Sequence, residues 1–214
     1  MIFTGLWPEA AAPEYISKTE PEDFIACADS GYALCKSAGV RPDIVIGDFD
    51  SLSTELISEI EDLGIECVRH YTEKDDTDTM LCVKYGLAHG YEKFLIVGGI
   101  GGDFGHTMAN LQALSFLADM KCEAAIETDV ERVFICDREQ ESFFTGRAGA
   151  KFSVLSYAER STGVYVKNAK YELTDAVLTQ SYPVGVSNEF AGANPACVSV
   201  RTGRLLVITD RWQI

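Results

Sequence analysis

The sequence predicts an α/β domain with a parallel sheet, followed by a second domain of antiparallel strands. In the first half, short apolar runs alternate with helical patterns, an order typical of parallel βαβ units. Near residue 122 the pattern changes to short alternating runs separated by Gly, Asn and Pro, without a helical period. Such runs predict an antiparallel sandwich or barrel. We place the boundary within 122–150 and assign residues 1–130 and 131–214 to the two domains.

The first domain is predicted from strands that each lead into a polar turn and then a helix. The run Ile44–Ile46 is the clearest strand, because it is β-branched and lies between Pro42 and Gly47. Ser53 is a suitable N-cap for the helix that follows it. The predicted strands are 24–28, 44–46, 65–68 and 94–97, and the predicted helices are a short one ending at Ala38 and those over 53–63, 78–89 and 107–119.

The second domain is predicted from short runs of alternating apolar and polar residues. The segment Glu123–Cys136 can belong to either sheet. The predicted strands are Ala124–Glu127, Arg132–Cys136, Glu141–Phe144, Lys151–Tyr157, Val164–Val166, Ala176–Leu178, Ala196–Val200 and Leu205–Ile208.

Composition narrows the class of protein. The chain has 214 residues, 47% of them hydrophobic, and a formal net charge of −15. That charge argues against binding to nucleic acid or to anionic membranes, and it means that a polyanion such as ATP needs metal ions in order to approach an acidic cleft. Seven cysteines without a metal-ligand spacing indicate reduced, buried thiols. With no leader and no apolar run of membrane-spanning length, we expect a cytoplasmic protein.

Four polar segments follow predicted strand ends in the first domain. In a parallel sheet these ends share one edge, where open α/β sheets bind their ligands, so the segments are expected to meet in one cleft. The segments are Asp29-Ser30-Gly31, Gly47-Asp48-Phe49-Asp50-Ser51, Glu73-Lys74-Asp75-Asp76-Thr77-Asp78 and the glycine-rich loop from Gly98 to His106.

The second and third segments carry the carboxylates that suit a metal ion. Asp48 and Asp50, spaced i and i+2 just after a strand, can converge on one hard cation, and Mg²⁺ prefers few carboxylates with water and phosphate oxygens beside them. The alternative interpretation of such a pair is a solvated acidic loop. Asp78 stands at the entry to a helix, where it can be a metal ligand or an N-cap, and Thr77 can cap equally well.

The fourth segment is suited to phosphate. Glycines such as Gly101 and Gly102 let backbone amides approach a ligand, and the helix that follows presents its positive end. The loop is not a Walker loop, because no Gly-Lys-Ser/Thr closes it. His106 either binds phosphate or has a structural role, and Asn110 either holds the loop or reaches the nucleotide.

Taken in order, the segments ADSGYA, PDIVIGDFDSL, EKDDTDTM and GGDFGHTMANL resemble the thiamine pyrophosphokinase family, and GVSNEF at 185–190 resembles that family's second-domain Ser-Asn motif. The resemblance spans roughly residues 27–208. It implies a Rossmann-like α/β domain followed by an antiparallel β-sandwich, and a homodimer whose active sites are shared between subunits. The implied reaction transfers the pyrophosphoryl group of ATP to the hydroxyl of thiamine with Mg²⁺, releasing AMP.

The resemblance also implies a role for each candidate residue. Asp48, Asp50 and Asp78 are expected to hold Mg²⁺, with Asp29 in that shell or on a bound water. Lys74 is expected to contact phosphate, and Asp75 to contact thiamine or orient Lys74. The full predicted set is Asp48, Asp50, Asp75 and Asp78 as catalytic residues, Asp29, Lys74, Gly101, Gly102, His106 and Asn110 for ATP, and Asp75, Thr77, Ser187 and Asn188 for thiamine.

One departure from the family pattern stands in the glycine loop. The family has an Arg and then an Asp before the histidine, whereas this chain has Asp103 and Gly105. Asp103 either replaces the lost carboxylate from two residues away or occupies the vacated Arg position, where it repels ATP. Arg41 or Lys36 can supply the lost positive charge.

Two other functions compete with the kinase. A haloacid-dehalogenase-like phosphatase explains Asp48 and Asp50 but leaves the glycine loop and the β-rich half unused. A non-catalytic module that binds thiamine or a nucleotide explains the eroded position Gly105. AMP release that requires thiamine identifies the kinase, phosphate release without thiamine the phosphatase, and binding without turnover the module.

Overall fold

The structure, a computed structural model, describes residues 1–5, 19–20, 22–71, 75–137, 141–192 and 194–210. The chain divides into two compact units, Met1–Asp129 and Val130–Ile214. The first contains parallel strands with helices, and the second contains antiparallel strands, so the protein is of mixed α and β class. No helix in the described ranges is long and apolar enough to cross a membrane.

The first unit is a parallel sheet in the order β6-β5-β1-β2-β3-β4. Because each pairing is parallel, the carboxyl ends of these strands lie at one edge. Its elements are β1 (Ile2–Phe3), β2 (Ala26–Ala28), α1 (Gly31–Ser37), β3 (Ile44–Gly47), α2 (Thr54–Asp62), β4 (Glu66–Arg69), α3 (Asp78–Ala88), β5 (Lys93–Val97), α4 (Phe104–Asp119) and β6 (Glu123–Glu127).

The helix starts of the first unit depend on local capping. The Ser53 hydroxyl accepts a hydrogen bond from the backbone N–H of Leu56, as the sequence predicts, and Thr77 caps α3 by accepting from Met80. Helix α4 begins at Phe104 rather than at 107, because Asp103 caps it. One core cluster packs the middle strands against α1 and α2, with Phe3, Cys27, Val45 and Ile60 at its centre.

The second unit consists of two antiparallel sheets, in the orders β12-β9-β14-β7 and β11-β10-β13-β8. Residues of both sheets form one hydrophobic cluster, in which Phe144, Phe152 and Phe190 pack ring against ring. Its strands are β7 (Glu131–Asp137), β8 (Ser142–Phe144), β9 (Lys151–Ser156), β10 (Arg160–Lys167), β11 (Leu173–Thr179), β12 (Asn188–Glu189), β13 (Ala196–Ser199) and β14 (Arg204–Asp210).

The structure corrects the predicted elements in two ways and places the segment that the sequence left open. Strands β1 and β12 were not predicted, because two residues are too few to show an alternating pattern. Strands β10 and β11 extend well beyond the predicted 164–166 and 176–178, since pairing continues through their Ser and Thr residues. The segment 123–136 contributes one strand to each unit, because β6 pairs parallel with β5 while β7 pairs antiparallel with β14.

Candidate active site

Three carboxylates meet at the carboxyl edge of the parallel sheet. Asp29 follows β2, Asp48 follows β3 and Asp78 opens α3, and one carboxylate oxygen of each lies within 4.8 Å of the others. The three residues are far apart in sequence, so the sheet order and the position of α3 bring them together. We call this group the carboxylate cluster.

Asp29 takes its position from an unusual backbone and a nearby glycine. Its φ is 43°, in the left-handed region that Asp tolerates better than most residues. Its N–H donates to the Ile46 carbonyl at 2.9 Å, which continues the β2–β3 pairing by one step. A Cβ at Gly47 would lie 2.9 Å from the Cβ of Asp29, so position 47 must be glycine for the two strand ends to approach this closely.

The turn after β3 separates Asp48 from Asp50. Phe49, between them, has a φ of 67° and is buried. The N–H of Asp50 donates to Oδ1 of Asp48 at 3.2 Å, and the Ser51 hydroxyl donates to Oδ1 of Asp50 at 2.9 Å. Asp50 is exposed and lies outside the carboxylate cluster, where Asp29 joins Asp48 and Asp78. The geometry thus brings together Asp29, Asp48 and Asp78 rather than the predicted metal set Asp48, Asp50 and Asp78.

The electrostatics of the cluster centre on Asp29. The residue is 5% exposed, and its Oδ1 is the one buried side-chain N or O atom without a hydrogen-bond partner in the described parts of the chain. Burial raises the pKa of the Asp29 carboxyl, and Asp78 and Asp48 raise it further, while the Ser51 hydroxyl and the Ser30 amide partly offset the change. A buried, unpartnered oxygen among three carboxylates fits a hard cation, because a cation would satisfy it and remove the mutual repulsion.

The third predicted segment is partly described. Lys74, predicted to contact phosphate, lies outside the described residues. Asp75 is exposed, and Asp76 pairs with Lys84 at 2.6 Å on the surface. The Thr77 hydroxyl is used as the N-cap of α3, which leaves Asp78 to face the cluster from the first turn. The catalytic role of Asp75 and the thiamine-binding roles of Asp75 and Thr77 stay predictions.

Two buried side chains of α4 hold the glycine loop. Nδ2 of Asn110 donates to the Gly99 carbonyl at 2.8 Å, so Asn110 holds the loop, one of its two expected roles. Gly99 has a φ of +80°, and a Cβ there would lie 2.8 Å from that nitrogen. The Thr107 hydroxyl accepts from the N–H of Gly101 at 3.0 Å. These contacts fix the loop while Gly101 and Gly102 stay exposed.

The structure gives Asp103 a role that neither sequence alternative included. Its Oδ1 accepts a hydrogen bond from the N–H of His106 at 3.0 Å, which makes it the N-cap of α4. An Asp here satisfies a helix N–H and complements the positive end of the helix dipole. The His106 side chain is exposed beside it. Phosphate binding by His106, Gly101 and Gly102 stays a prediction.

The Ser-Asn pair of the second unit lies at strand β12. Asn188 is 5% exposed, and its side chain is engaged at both ends with the backbone of Tyr171. Its Oδ1 accepts from the Tyr171 N–H at 3.0 Å, and its Nδ2 donates to the Tyr171 carbonyl at 2.8 Å. Ser187 is exposed, with a φ of 56°, and its N–H donates to the Ser153 hydroxyl. Contact of either residue with thiamine stays a prediction.

Sequence reasoning missed the structural role of two residues at this edge. Thr107 holds the glycine loop, and Ser51 connects Asp50 to the environment of Asp29. A hydroxyl within a polar motif was the available signal, but hydroxyls are common in such loops, and the sequence does not show which backbone group each one meets.

Comparison with known proteins identifies the family. The model of the thiamin pyrophosphokinase catalytic domain matches residues 16–126, more than half of the chain, and the model of the thiamin pyrophosphokinase vitamin B1 binding domain matches residues 135–205. The chain belongs to the thiamin pyrophosphokinase family. The resemblance stated from the sequence motifs is thereby confirmed.

Individual relatives of this family are more distant. A thiamine pyrophosphokinase of Oryza sativa subsp. japonica is 32% identical over 80 residues, which are 35% of this chain and 30% of that relative. One of Bacillus subtilis is 28% identical over 107 residues, half of each chain. A thiamin pyrophosphokinase of Caenorhabditis elegans is 23% identical over 156 residues, 69% of this chain and 62% of that one. Each match spans less than two thirds of the relative's length.

Solved structures share the fold over nearly the whole chain. The crystal structure of thiamine pyrophosphokinase from Bacillus subtilis superposes with a TM-score of 0.87 at 22% identity, covering 98% of this chain and 97% of that one. Thiamin pyrophosphokinase from Candida albicans superposes with a TM-score of 0.81 at 15% identity, covering 98% and 87% of the two chains. At these identities the likeness establishes the fold.

Proposed function

We propose that this protein transfers the pyrophosphoryl group of ATP to the hydroxyl of thiamine, giving thiamine diphosphate and AMP. Family membership supports the reaction, and one observation of the structure indicates which residues take part in it. The buried Oδ1 of Asp29 has no hydrogen-bond partner among the residues that the structure describes, and it lies in a cluster with Asp48 and Asp78 at the ligand-binding edge of a parallel sheet. If the cluster had only a structural role, we would expect this buried oxygen to accept a hydrogen bond from another group of the protein.

We propose that Asp29, Asp48 and Asp78 hold Mg²⁺. When bound, the ion would neutralise charge on the phosphates and on the departing AMP. The residues of the chain then have separate tasks. The glycine loop, fixed by Thr107 and Asn110, presents backbone N–H groups to phosphate oxygens. Asp50, outside the cluster, is left to position the Ser51 hydroxyl, and Asp75 remains a candidate for contact with thiamine.

We also propose the finer features that the family resemblance implies. These are a Rossmann-like arrangement of the first unit, a β-sandwich in the second, and a homodimer. Exposed apolar side chains beside Ser187 support an interface there, since Tyr182, Val184 and Val186 are 69%, 41% and 53% exposed. A cytoplasmic location is supported by the free state of all seven cysteines, which suits a reducing compartment.

The reaction is tested by incubating the purified protein with MgATP, with and without thiamine, and separating the nucleotides and thiamine esters by chromatography. We expect AMP and thiamine diphosphate in equal amounts, and only when thiamine is present. Phosphate release without thiamine would identify a phosphatase instead. Binding of both substrates without AMP formation would identify a non-catalytic module.

The shared site is tested separately. Light scattering is expected to give twice the mass of one chain. Chains inactivated by Asp48→Asn, mixed with chains inactivated by Ser187→Trp, are expected to regain part of the activity, because one site of each heterodimer has both residues intact. Proven subunit exchange without recovery would argue for sites built within one chain.

A further inference from the structure

Arg69 is the last residue of β4 and lies at the same sheet edge as the carboxylate cluster. It pairs in register with Gly47, the residue directly before Asp48. We propose that Arg69 binds the polyphosphate of the nucleotide at this edge and supplies the cation that the glycine loop lacks. This inference rests on the proposed function, because it names a binding residue for the same reaction.

Arg69 lies close to the carboxylate cluster across the sheet. Ala28 pairs with Ile46 and Gly47 with Arg69, so Asp29, Gly47 and Arg69 occupy one row across three adjacent strands. Neighbouring strands lie about 4.8 Å apart, which puts the Cα atoms of Asp29 and Arg69 about 10 Å from each other. The residue between them is glycine, so no side chain fills the gap. A phosphate chain bound at the cluster can therefore extend over Gly47 to the guanidinium.

The Arg69 guanidinium contacts an aromatic ring of the turn that follows β3. Its Cζ lies 4.7 Å from the centre of the Phe49 ring, and Phe49 is the buried middle residue of the turn that carries Asp48 and Asp50. This cation–π contact is not a hydrogen bond, so the N–H donors of the guanidinium can still pair with phosphate oxygens. Within the described ranges these donors make no hydrogen bond to the chain.

The ion pair of Arg69 is too weak to compete with a phosphate. Its Nη2 lies 3.8 Å from Oε1 of Glu61, and the two side chains are 58% and 66% exposed. Exposed pairs at this distance contribute little, because water screens them and both side chains keep their freedom. A polyanion that binds through several charge-assisted hydrogen bonds would displace Glu61.

Two other cations of the first unit already contact groups of the chain. Lys36 forms an ion pair with Glu59, and Arg41, which precedes β3, donates to the Leu63 carbonyl. Asp103 caps α4, so its position in the glycine loop holds an acid. Arg69, in contrast, ends a strand at the ligand-binding edge. Of the three cations Lys36, Arg41 and Arg69, Arg69 is the one at this edge, and its ion pair in the described residues is the long, exposed one with Glu61.

The test compares Arg69→Gln, Arg69→Lys and a matched control, Arg41→Gln, which removes a different exposed arginine of the same unit. Steady-state kinetics with MgATP and thiamine varied separately are combined with calorimetric titration of each protein with MgATP alone. We expect Arg69→Gln to raise the KM for ATP and the Kd for MgATP about tenfold or more, with the KM for thiamine changed less than about twofold. Arg69→Lys is expected to fall between, since it keeps the charge but not the planar donor pair.

The outcomes separate this inference from the proposed function. Turnover in the wild type with an unchanged ATP KM in Arg69→Gln would overturn the inference and leave the function standing. Weaker MgATP binding in Arg69→Gln, without thiamine-dependent turnover in the wild type, would support the inference and overturn the function. An equal rise of both KM values with a lower melting temperature would mean that Arg69 only supports the Phe49 turn. Absence of MgATP binding to the wild type would overturn both.

Discussion

Asp29 and Asn188 are buried to the same extent, each 5% exposed, yet their surroundings are opposite. Asn188, in the antiparallel unit, has its carbonyl oxygen and its amide nitrogen bonded to the backbone of Tyr171. Asp29, in the parallel unit, has an oxygen without a hydrogen-bond partner in the described ranges, and two further carboxylates lie within 4.8 Å of its own. Both residues belong to motifs that the sequence marked as functional. The fold supplies hydrogen-bond partners for the Asn188 side chain, whereas Oδ1 of Asp29 has none among the described residues.

The physical basis of this difference is the cost of burying polar groups. A buried amide that forms its hydrogen bonds is roughly neutral or stabilising, whereas an unpartnered carboxylate oxygen costs several kcal/mol. Buried groups with such an unfavourable energy are typical of functional sites, where a bound ligand can offset it. The comparison therefore predicts loss of activity from changes at Asp29, Asp48 or Asp78, and loss of stability from changes at Asn188.

The largest expected effect is on turnover. Asp48→Asn and Asp78→Asn should each lower kcat/KM by about 10²-fold or more, because each removes a charged ligand from the proposed Mg²⁺ site. Asp76→Asn is the matched control, since Asp76 pairs with Lys84 on the surface two residues from Asp78. Asp50→Asn should cost less than Asp48→Asn, because Asp50 lies outside the cluster. Steady-state kinetics at saturating Mg²⁺ measure all four, and equal losses for Asp50 and Asp48 would restore the predicted set that includes Asp50.

The second effect tests the other side of the comparison. Asn188→Ala should lower the free energy of unfolding by about 1–3 kcal/mol, because the partly buried N–H and carbonyl of Tyr171 lose their partner. Ser187→Ala, at the exposed neighbouring residue, should change it by less than about 0.5 kcal/mol. Denaturant unfolding of both variants provides the measurement. A higher thiamine KM in Asn188→Ala with unchanged stability would mean that Asn188 acts on the substrate instead, and the contrast with Asp29 would fail.

The third prediction concerns pH and metal. The Asp29 pKa is raised in the folded protein, so protonated Asp29 favours the folded state. This contribution to the free energy of unfolding is full below the ordinary pKa of 3.8 and is lost as pH rises through the folded pKa. Without Mg²⁺ at neutral pH, Asp29→Asn should therefore melt at a higher temperature than the wild type, and the difference should vanish below pH 3.8.

Mg²⁺ should reverse that order. The ion is expected to raise the melting temperature of the wild type and to have little effect on Asp29→Asn, since the variant lacks a charged ligand. Thermal melts with and without Mg²⁺ at several pH values provide the check. Equal stabilisation of both proteins by Mg²⁺ would place the bound ion away from Asp29.

A smaller change is expected at Asp103, in the glycine loop. Asp103 resembles Asn188 in that its side chain forms a hydrogen bond with the backbone. Asp103→Ala should therefore lower the free energy of unfolding by about 1 kcal/mol. Asp103→Ser should restore most of it, since Ser also caps helices. Both variants should keep kcat within about tenfold of the wild type. A larger loss of kcat in Asp103→Ala that Asp103→Ser does not restore would mean that the carboxylate acts on the substrates.

Much of the fold follows from local sequence patterns. The run Ile44–Ile46 is uniformly apolar because both faces of its parallel strand are buried, and Ser53 caps the next helix because its hydroxyl can reach the Leu56 N–H. The two-residue strands β1 and β12 were not predicted because they depend on hydrogen bonds to neighbouring strands rather than on a sequence pattern of their own.

Contiguous residues were sufficient to predict the α/β class of the first half, the β class of the second, the family motifs and the acidic strand ends. The position of Asp29 beside Asp48 and Asp78, without Asp50, depends on contacts between distant segments, since sheet order and the left-handed turn at Phe49 set the directions of these side chains. The tertiary structure also shows that the side chains of Asn188 and Asp103 form hydrogen bonds with backbone groups. Hydrogen-bond partners depend on which distant backbone groups the fold brings near, and no local pattern contains that information.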